Sequence, residues 1–332
     1  MKQTIVFHNR PKIAAFASIA GPKEGQGPLG GCFDEVLQDD LLGLPSWELA
    51  EAEMEKKVCL RCIERAGLTP GQVQAHLGGD LLNQLMASGL AARDIGAPFL
   101  GLYGACSTMA EGLLVGSVLV DGGYRENALA CASSHFCTAE RQFRFPLELG
   151  TQRPPSAQRT ATAAGAALLS SSGGRIAVEA GTIGRIIDYA ITDANHMGAA
   201  MAPAVADTIQ MHFADMGRTP ADYDLIVTGD LGIIGRDILL ELLKERGAAI
   251  PQEKLMDCGA SLFSPEQDCH SGGSGCGCIA SVLTGHILRK MEKGELGCVL
   301  AVGSGAMTST TSSQQGLSIP SIAHAVALKA EG

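Results

Sequence analysis

A Gly-Asp turn occurs twice in this chain, and each copy opens the same succession of elements. "HLGGDLLNQ" (residues 76–84) ends an apolar strand pattern in Gly79-Asp80, and "LIVTGDLGI" (225–233) ends another in Gly229-Asp230, about 150 residues later. A glycine-rich turn, a helical pattern and "GGYRENALACASS" follow the first; "GSGCGCIASVLTGHILRKMEKGELGCVLAVGSG" follows the second. Gly123 then aligns with Gly294, Leu129 with Leu300 and Ser133 with Ser304. Repeats of this length are duplicated half-domains rather than solenoid units. Two α/β halves, residues 1–175 and 176–332, are expected, each built as strand–helix–strand around a buried helix.

The short runs "ALACAS" and "CVLAVGS" lack polar alternation, as strands covered on both faces do. "GAALLSS" and "RIAVEAGTIGRI" read as further strands. "WELAEAEMEKKVCLRCIERAG" is an amphipathic helix stopped by Gly67, and "DTIQMHFADMG" and "DILLELLKERG" end on glycine caps in the same way. Only 4% of residues are aromatic, whereas 42 are glycine, so close backbone packing is expected. The formal net charge of −10 argues against a nucleic-acid partner, which needs a basic face. The start "MKQTIVFHNRPKIAAF" has no signal-peptide pattern, and the apolar run from Phe99 to Val120 is broken by Glu111 and glycines. A protein without a membrane span, its eleven cysteines reduced and mostly buried, is the expectation.

Three motifs invite chemistry that their context does not support. Gly25, Gly27 and Gly30 spell the dinucleotide fingerprint, but Pro28 sits inside it and no helix opens there, so it reads as a loop. Cys59 and Cys62 have redox spacing inside a helix rather than at its start, which suits structural cysteines. Cys258, Cys269, His270, Cys276 and Cys278 are spaced too irregularly for a structural zinc site. Cys106 differs. "LYGACST" reads as strand, sharp turn and helix start, where the positive helix end favours a thiolate and attracts anions. Core filling is the competing reading of the same residues.

A duplicated α/β chain with a Gly-Ala-Cys-Ser turn in its first half resembles the thiolase superfamily, in outline the ketoacyl synthase III type, whose halves stack as α-β-α-β-α layers. "AGPKEGQGPLGGCFD", "SSHFCTAERQFRFP", "GRIIDYAITDANHMGAAMAPAVADTI", "GGSGCGC" and "IPSIAHAVALK" resemble the stage V sporulation protein AD family of spore-forming bacteria over nearly the whole chain. The resemblance implies a thiolase-like subunit that binds dipicolinic acid, largely as the calcium chelate, for loading into the spore and release at germination. It implies membrane subunits of the same stage V sporulation A operon as partners, a peripheral place at the spore inner membrane, and a homodimer as in other thiolase-like proteins.

A condensing enzyme of this type needs a histidine and an asparagine from the second half beside its cysteine. Laid on this chain, those positions fall near Gly229 and Ser274, so both partners are expected to be missing. His135, His196 and His270 are left as histidines that another loop brings to Cys106. The expected reading is a ligand pocket without catalysis, cofactor or resident metal; the alternative is a Cys106-dependent acyltransferase acting on acyl-CoA. Arginine grips planar carboxylates in pairs, which makes Arg141 and Arg144 candidate clamps for the dipicolinate dianion, with Lys23 weaker. Cys106, His135, Asp230, Ser274 and Ser304 complete the expected site. Asp80 and Asp230 are hard oxygen donors suited to calcium, though the same Gly-Asp context equally serves a turn.

Overall fold

The structure is a computed structural model that describes residues 2–143 and 153–331. Ten strands lie on one hydrogen-bonded path: β1 (Lys12–Ala20), β2 (His76–Gly79), β3 (Phe99–Gly101), β4 (Asn127–Ser134), β5 (Ala163–Ser170), β6 (Ile176–Thr182), β7 (Leu225–Thr228), β8 (Leu255–Asp257), β9 (Cys298–Ala306) and β10 (Ser321–Ala330). Their spatial order is β8-β7-β9-β10-β6-β1-β5-β4-β2-β3. Counted outward from the centre, β1-β5-β4-β2-β3 and β6-β10-β9-β7-β8 have the same order. Among the described residues the two sets pair where Lys12 and Ile13 lie opposite Ala177 and Ile176.

The sequence repeat reappears as strand register. His76 lies opposite Leu129 across β2 and β4, and Ile226 lies opposite Leu300 across β7 and β9. These are the residues that the two Gly-Asp copies bring into alignment. Every residue of β4 is buried, as expected for a strand covered on both faces.

The principal helices are α1 (Trp47–Arg65), α2 (Met86–Ile95), α3 (Thr108–Asp121), α4 (Phe136–Phe143), α5 (Met197–Met216), α6 (Gly232–Glu245) and α7 (Cys276–Val282). α1 covers β1, β5 and β4 and carries α2; α5 covers β10 and β9 and carries α6. α3 is held between the halves, against β4 and β2 on one side and β9 and β10 on the other, while α7 packs on β5 and β4. The layers are therefore helix, sheet, helix, sheet, helix. Ser46 caps α1 by accepting from the Leu49 N–H, and Gly67 ends that segment with a φ of 70°. No helix among the described residues is long and apolar enough to cross a membrane. The Gly25–Gly30 stretch is not a simple loop: Pro22–Gly25 forms a short helical turn and Gly30–Cys32 another, and neither opens a nucleotide-binding helix.

α7 is buried along its whole length, so it must approach the strands on every side. A Cβ on Gly165 of β5 would stand 2.2 Å from the Ala280 carbonyl oxygen of α7. The obstacle is backbone, which no rotamer change relieves. Gly165→Ala is expected to destabilise the fold by about 3 kcal/mol, the upper end for overpacking. Gly89, inside the exposed face of α2, has nothing within 4 Å of its Cβ position. Gly89→Ala should stabilise by roughly 0.5–1 kcal/mol. Urea denaturation of both variants checks the pair, and equal midpoints would refute the packing argument.

Candidate functional site

The chain leaves β3, turns through Gly104 and Ala105, and enters α3 two residues after Cys106. Ala105 holds a left-handed φ of 51°, a conformation disfavoured for a residue with a Cβ. Two side chains lock it: Ser107 Oγ donates to Gly104 O at 2.7 Å and Thr108 Oγ1 to Ala105 O at 2.7 Å. The turn sets Cys106, 8% exposed, in the wall of a cavity of about 520 Å³.

Asp230 faces Cys106 from the end of β7. Its carboxylate is fully buried and shares a hydrogen bond with the Cys106 thiol. It also accepts from Gly275 N at 2.9 Å, Ser274 Oγ at 3.1 Å and Ser304 Oγ at 3.4 Å. Burial pushes Asp230 up to about 7, against the hydrogen bonds from Cys106, Gly275 and Ser274. Burial first, then the Asp230 charge, drives the Cys106 thiol well above its ordinary value. The expected helix activation of Cys106 is thus overturned: desolvation and a facing carboxylate outweigh the helix end. Cys106 is held as S–H.

The structure gathers Cys106, Asp230, Ser274 and Ser304 and leaves the other expected residues elsewhere. From the second Gly-Asp turn the side chain that reaches Cys106 is Asp230; Gly229 precedes it and abuts Ile279. Ser274 lines the cavity, whereas Ser304 stands behind Asp230. His135 does not line the cavity. At the start of α4 its Nδ1 accepts from Cys137 N at 3.1 Å and its Nε2 donates to Asp40 O at 2.8 Å, so the ring is used up as a local tie. His196 and His270 are not in the cavity wall either, although Asn195 is. Arg141 is ion-paired with Glu48 and stacks 5.7 Å above the Trp47 ring, away from Cys106. Arg144 lies outside the described residues. Lys23 is not in the wall; its carbonyl accepts from Gln267 Nε2. Asp80 accepts from Leu82 N and Ser88 N, both at 2.7 Å, which is the turn-forming role.

Neutral polar groups missed in the sequence complete the wall: Asn83, Tyr103, Gln158, Asn195, Thr308 and Ser309. Loops from both halves supply them, so no local spacing marks them. Among the described lining residues only Glu140 is formally charged, and Arg153 lies 3.3 Å from it. The cavity is wide, mostly apolar with neutral polar groups set among the apolar ones, and without a lining cation among those residues.

A profile described as Stage V sporulation protein AD (SpoVAD) matches residues 1–329. The chain belongs to the stage V sporulation protein AD family. The stage V sporulation protein AD of Bacillus subtilis (strain 168) is 44% identical over 331 residues, covering 100% of this chain and 98% of that protein. Family membership carries a role in sporulation. Among solved structures, a variant of Xanthomonas campestris OleA superposes with a TM-score of 0.62 at 14% identity, covering 98% of this chain and 99% of the other. The 3-oxoacyl-[acyl-carrier-protein] synthase III of Aquifex aeolicus VF5 gives 0.60 at 13%, with 96% and 99% covered. Likeness at that identity establishes the thiolase-like fold of this family member.

Proposed function

We propose that this chain is a non-catalytic dipicolinate-binding subunit of the machinery that loads dipicolinic acid into the spore and releases it at germination, and that the Cys106 cavity takes the calcium chelate. The observation that carries the reading is the buried contact between Cys106 and Asp230. A condensing enzyme works through a thiolate, and a facing carboxylate opposes one. The volume falls within the usual range for small-ligand sites, about 300–1,000 Å³. A free dianion would meet Glu140 in the wall, with Asp230 buried behind it and no lining cation among the described residues to offset its charge. The one-to-one calcium chelate is neutral, and the hydroxyl and amide groups of the wall suit its carboxylate oxygens. We place the subunit peripherally, with membrane subunits of the same operon as partners. The free edge of β3, with Leu100 half exposed, is the proposed homodimer seam, since open strand edges template pairing.

Calorimetric titration tests the ligand. With calcium present, dipicolinate should bind saturably near one per chain, and chelating the calcium should weaken binding at least tenfold. Silence in both conditions sinks the reading. The acyltransferase alternative keeps one favourable observation, the constrained Ala105 turn that presents Cys106. It requires a thioester on Cys106 after exposure to acyl-CoA, seen as added intact mass and lost in Cys106→Ala.

A further inference from the structure

A second cluster of donor atoms lies on the other face of β4, away from the cavity. Cys59 comes from α1, His76 from the first position of β2 and Cys131 from the middle of β4. All three are fully buried, and their ligand atoms lie within 4.8 Å of one another. His76 Nε2 is 3.1 Å from Cys131 Sγ and 4.0 Å from Cys59 Sγ. Glu55, one helical turn before Cys59, approaches Cys131 Sγ with Oε1 at 3.3 Å. A tetrahedral centre with bonds near 2.0 Å to nitrogen and 2.3 Å to sulfur holds its ligand atoms ~3.3–3.8 Å apart. Cys59, His76 and Cys131 need only small adjustments to meet that spacing, and Glu55, in reach of Cys131 but outside that close group, closes the shell by a larger side-chain movement.

The surroundings are acidic and buried. Glu51, Glu55 and Asp80 are buried together, and hydroxyls, backbone N–H groups and the Cys131 thiol are their described hydrogen-bond donors. Ser133 and Ser88 reach Glu55 at 2.7 and 2.8 Å, and Thr138 reaches Glu51 at 2.7 Å. No lysine or arginine appears among their described ion pairs.

We propose that Cys59, His76 and Cys131, closed by Glu55, form a buried structural site for a thiophilic divalent metal of the zinc class. Two thiolates with an imidazole select zinc over calcium or magnesium, which take oxygen. Binding exchanges two S–H bonds for two metal–sulfur bonds, and both protons leave to solvent; nothing is oxidised or reduced. The metal ties the outer helix α1 to β2 and β4. Because every ligand is buried, it enters during folding. Cys62 shares the C-x-x-C spacing but takes no part: its thiol donates to Ala15 O at 3.4 Å.

The full chain, produced with zinc supplied and purified without chelators, should carry about one zinc by elemental mass spectrometry. Cys59→Ser and Cys131→Ser should fall below a tenth, while Cys62→Ser keeps the metal. Should the serine variants fail to fold, the wild type decides alone: unfolding it in guanidinium with a colorimetric zinc chelator should release one equivalent, and refolding with Co2+ should give thiolate-to-cobalt absorption. Wild type that regains its fold with zinc present yet holds less than a tenth of an equivalent overturns the site. So does a Cys59–Cys131 disulfide in the native protein, or loss of metal in Cys62→Ser as complete as in Cys59→Ser with the fold intact.

Discussion

Asp230→Asn will speed alkylation of Cys106 by iodoacetamide at pH 8 by about 10- to 100-fold, because thiolate fraction sets the rate. The carboxylate is the nearest charge opposing thiolate formation, after burial itself. Asparagine keeps an oxygen for the Gly275 N–H and removes the charge. The measurement is the rate of label appearance on the Cys106 peptide, with dichroism checking the fold. An unchanged rate in a folded variant would mean that burial alone protects the thiol. Asp230→Leu is different in kind. It leaves Gly275 N–H, Ser274 and Ser304 without their acceptor, at roughly 1–3 kcal/mol for each buried group, and that variant should unfold.

Stability will also fall as the pH rises from about 6 to 8. Asp230 and Glu24 are both pushed up to about 7 by burial, so between their ordinary values and 7 the native state holds protons that the unfolded chain has lost. The stabilisation they give is complete below about pH 4 and is lost through pH 7. For Asp230 the displacement corresponds to roughly 4 kcal/mol. Glu51, Asp80 and Asp257 are shifted in the same direction. Burial lowers His212 and His324 to about 4, which has the opposite sign. Their contribution is present above pH 6.5 and lost as pH falls toward 4. The two histidines offset the more numerous carboxyls only in part between about pH 4.5 and 6.5, so the fall begins there and is unopposed from pH 6.5 until the carboxyls finish titrating. Melting temperatures across pH 5 to 8 check this, and Asp230→Asn should flatten the upper limb. A midpoint that rises over pH 6 to 8 would contradict it.

The two Gly-Asp copies show how far pattern reaches. Their alignment matched strand register across both halves, because register follows from which residues a buried strand turns inward. The same logic faltered at Gly229 and Asp230. One residue of slip decides which side chain faces Cys106, and pattern alone does not fix a single step at a strand end. Arg141 looked like a ligand clamp because it follows the "CASSH" loop, yet α4 turns it toward Glu48 and Trp47. The thiol of Cys106 looked activated because sequence shows the helix start and hides the burial.

Local pattern by itself determined the layered α/β fold, the duplication, the Cys106 turn and the family, since periodicity and glycine placement act over short stretches of chain. The family resemblance had already grouped Asp230, Ser274 and Ser304 with Cys106; only the tertiary structure decided how their side chains meet and what lies behind β4. Asp230 stands 124 positions from Cys106 and Cys131 stands 72 from Cys59. No spacing rule connects residues that distant; the crossing of strands and helices brings them together, and burial then sets their charge.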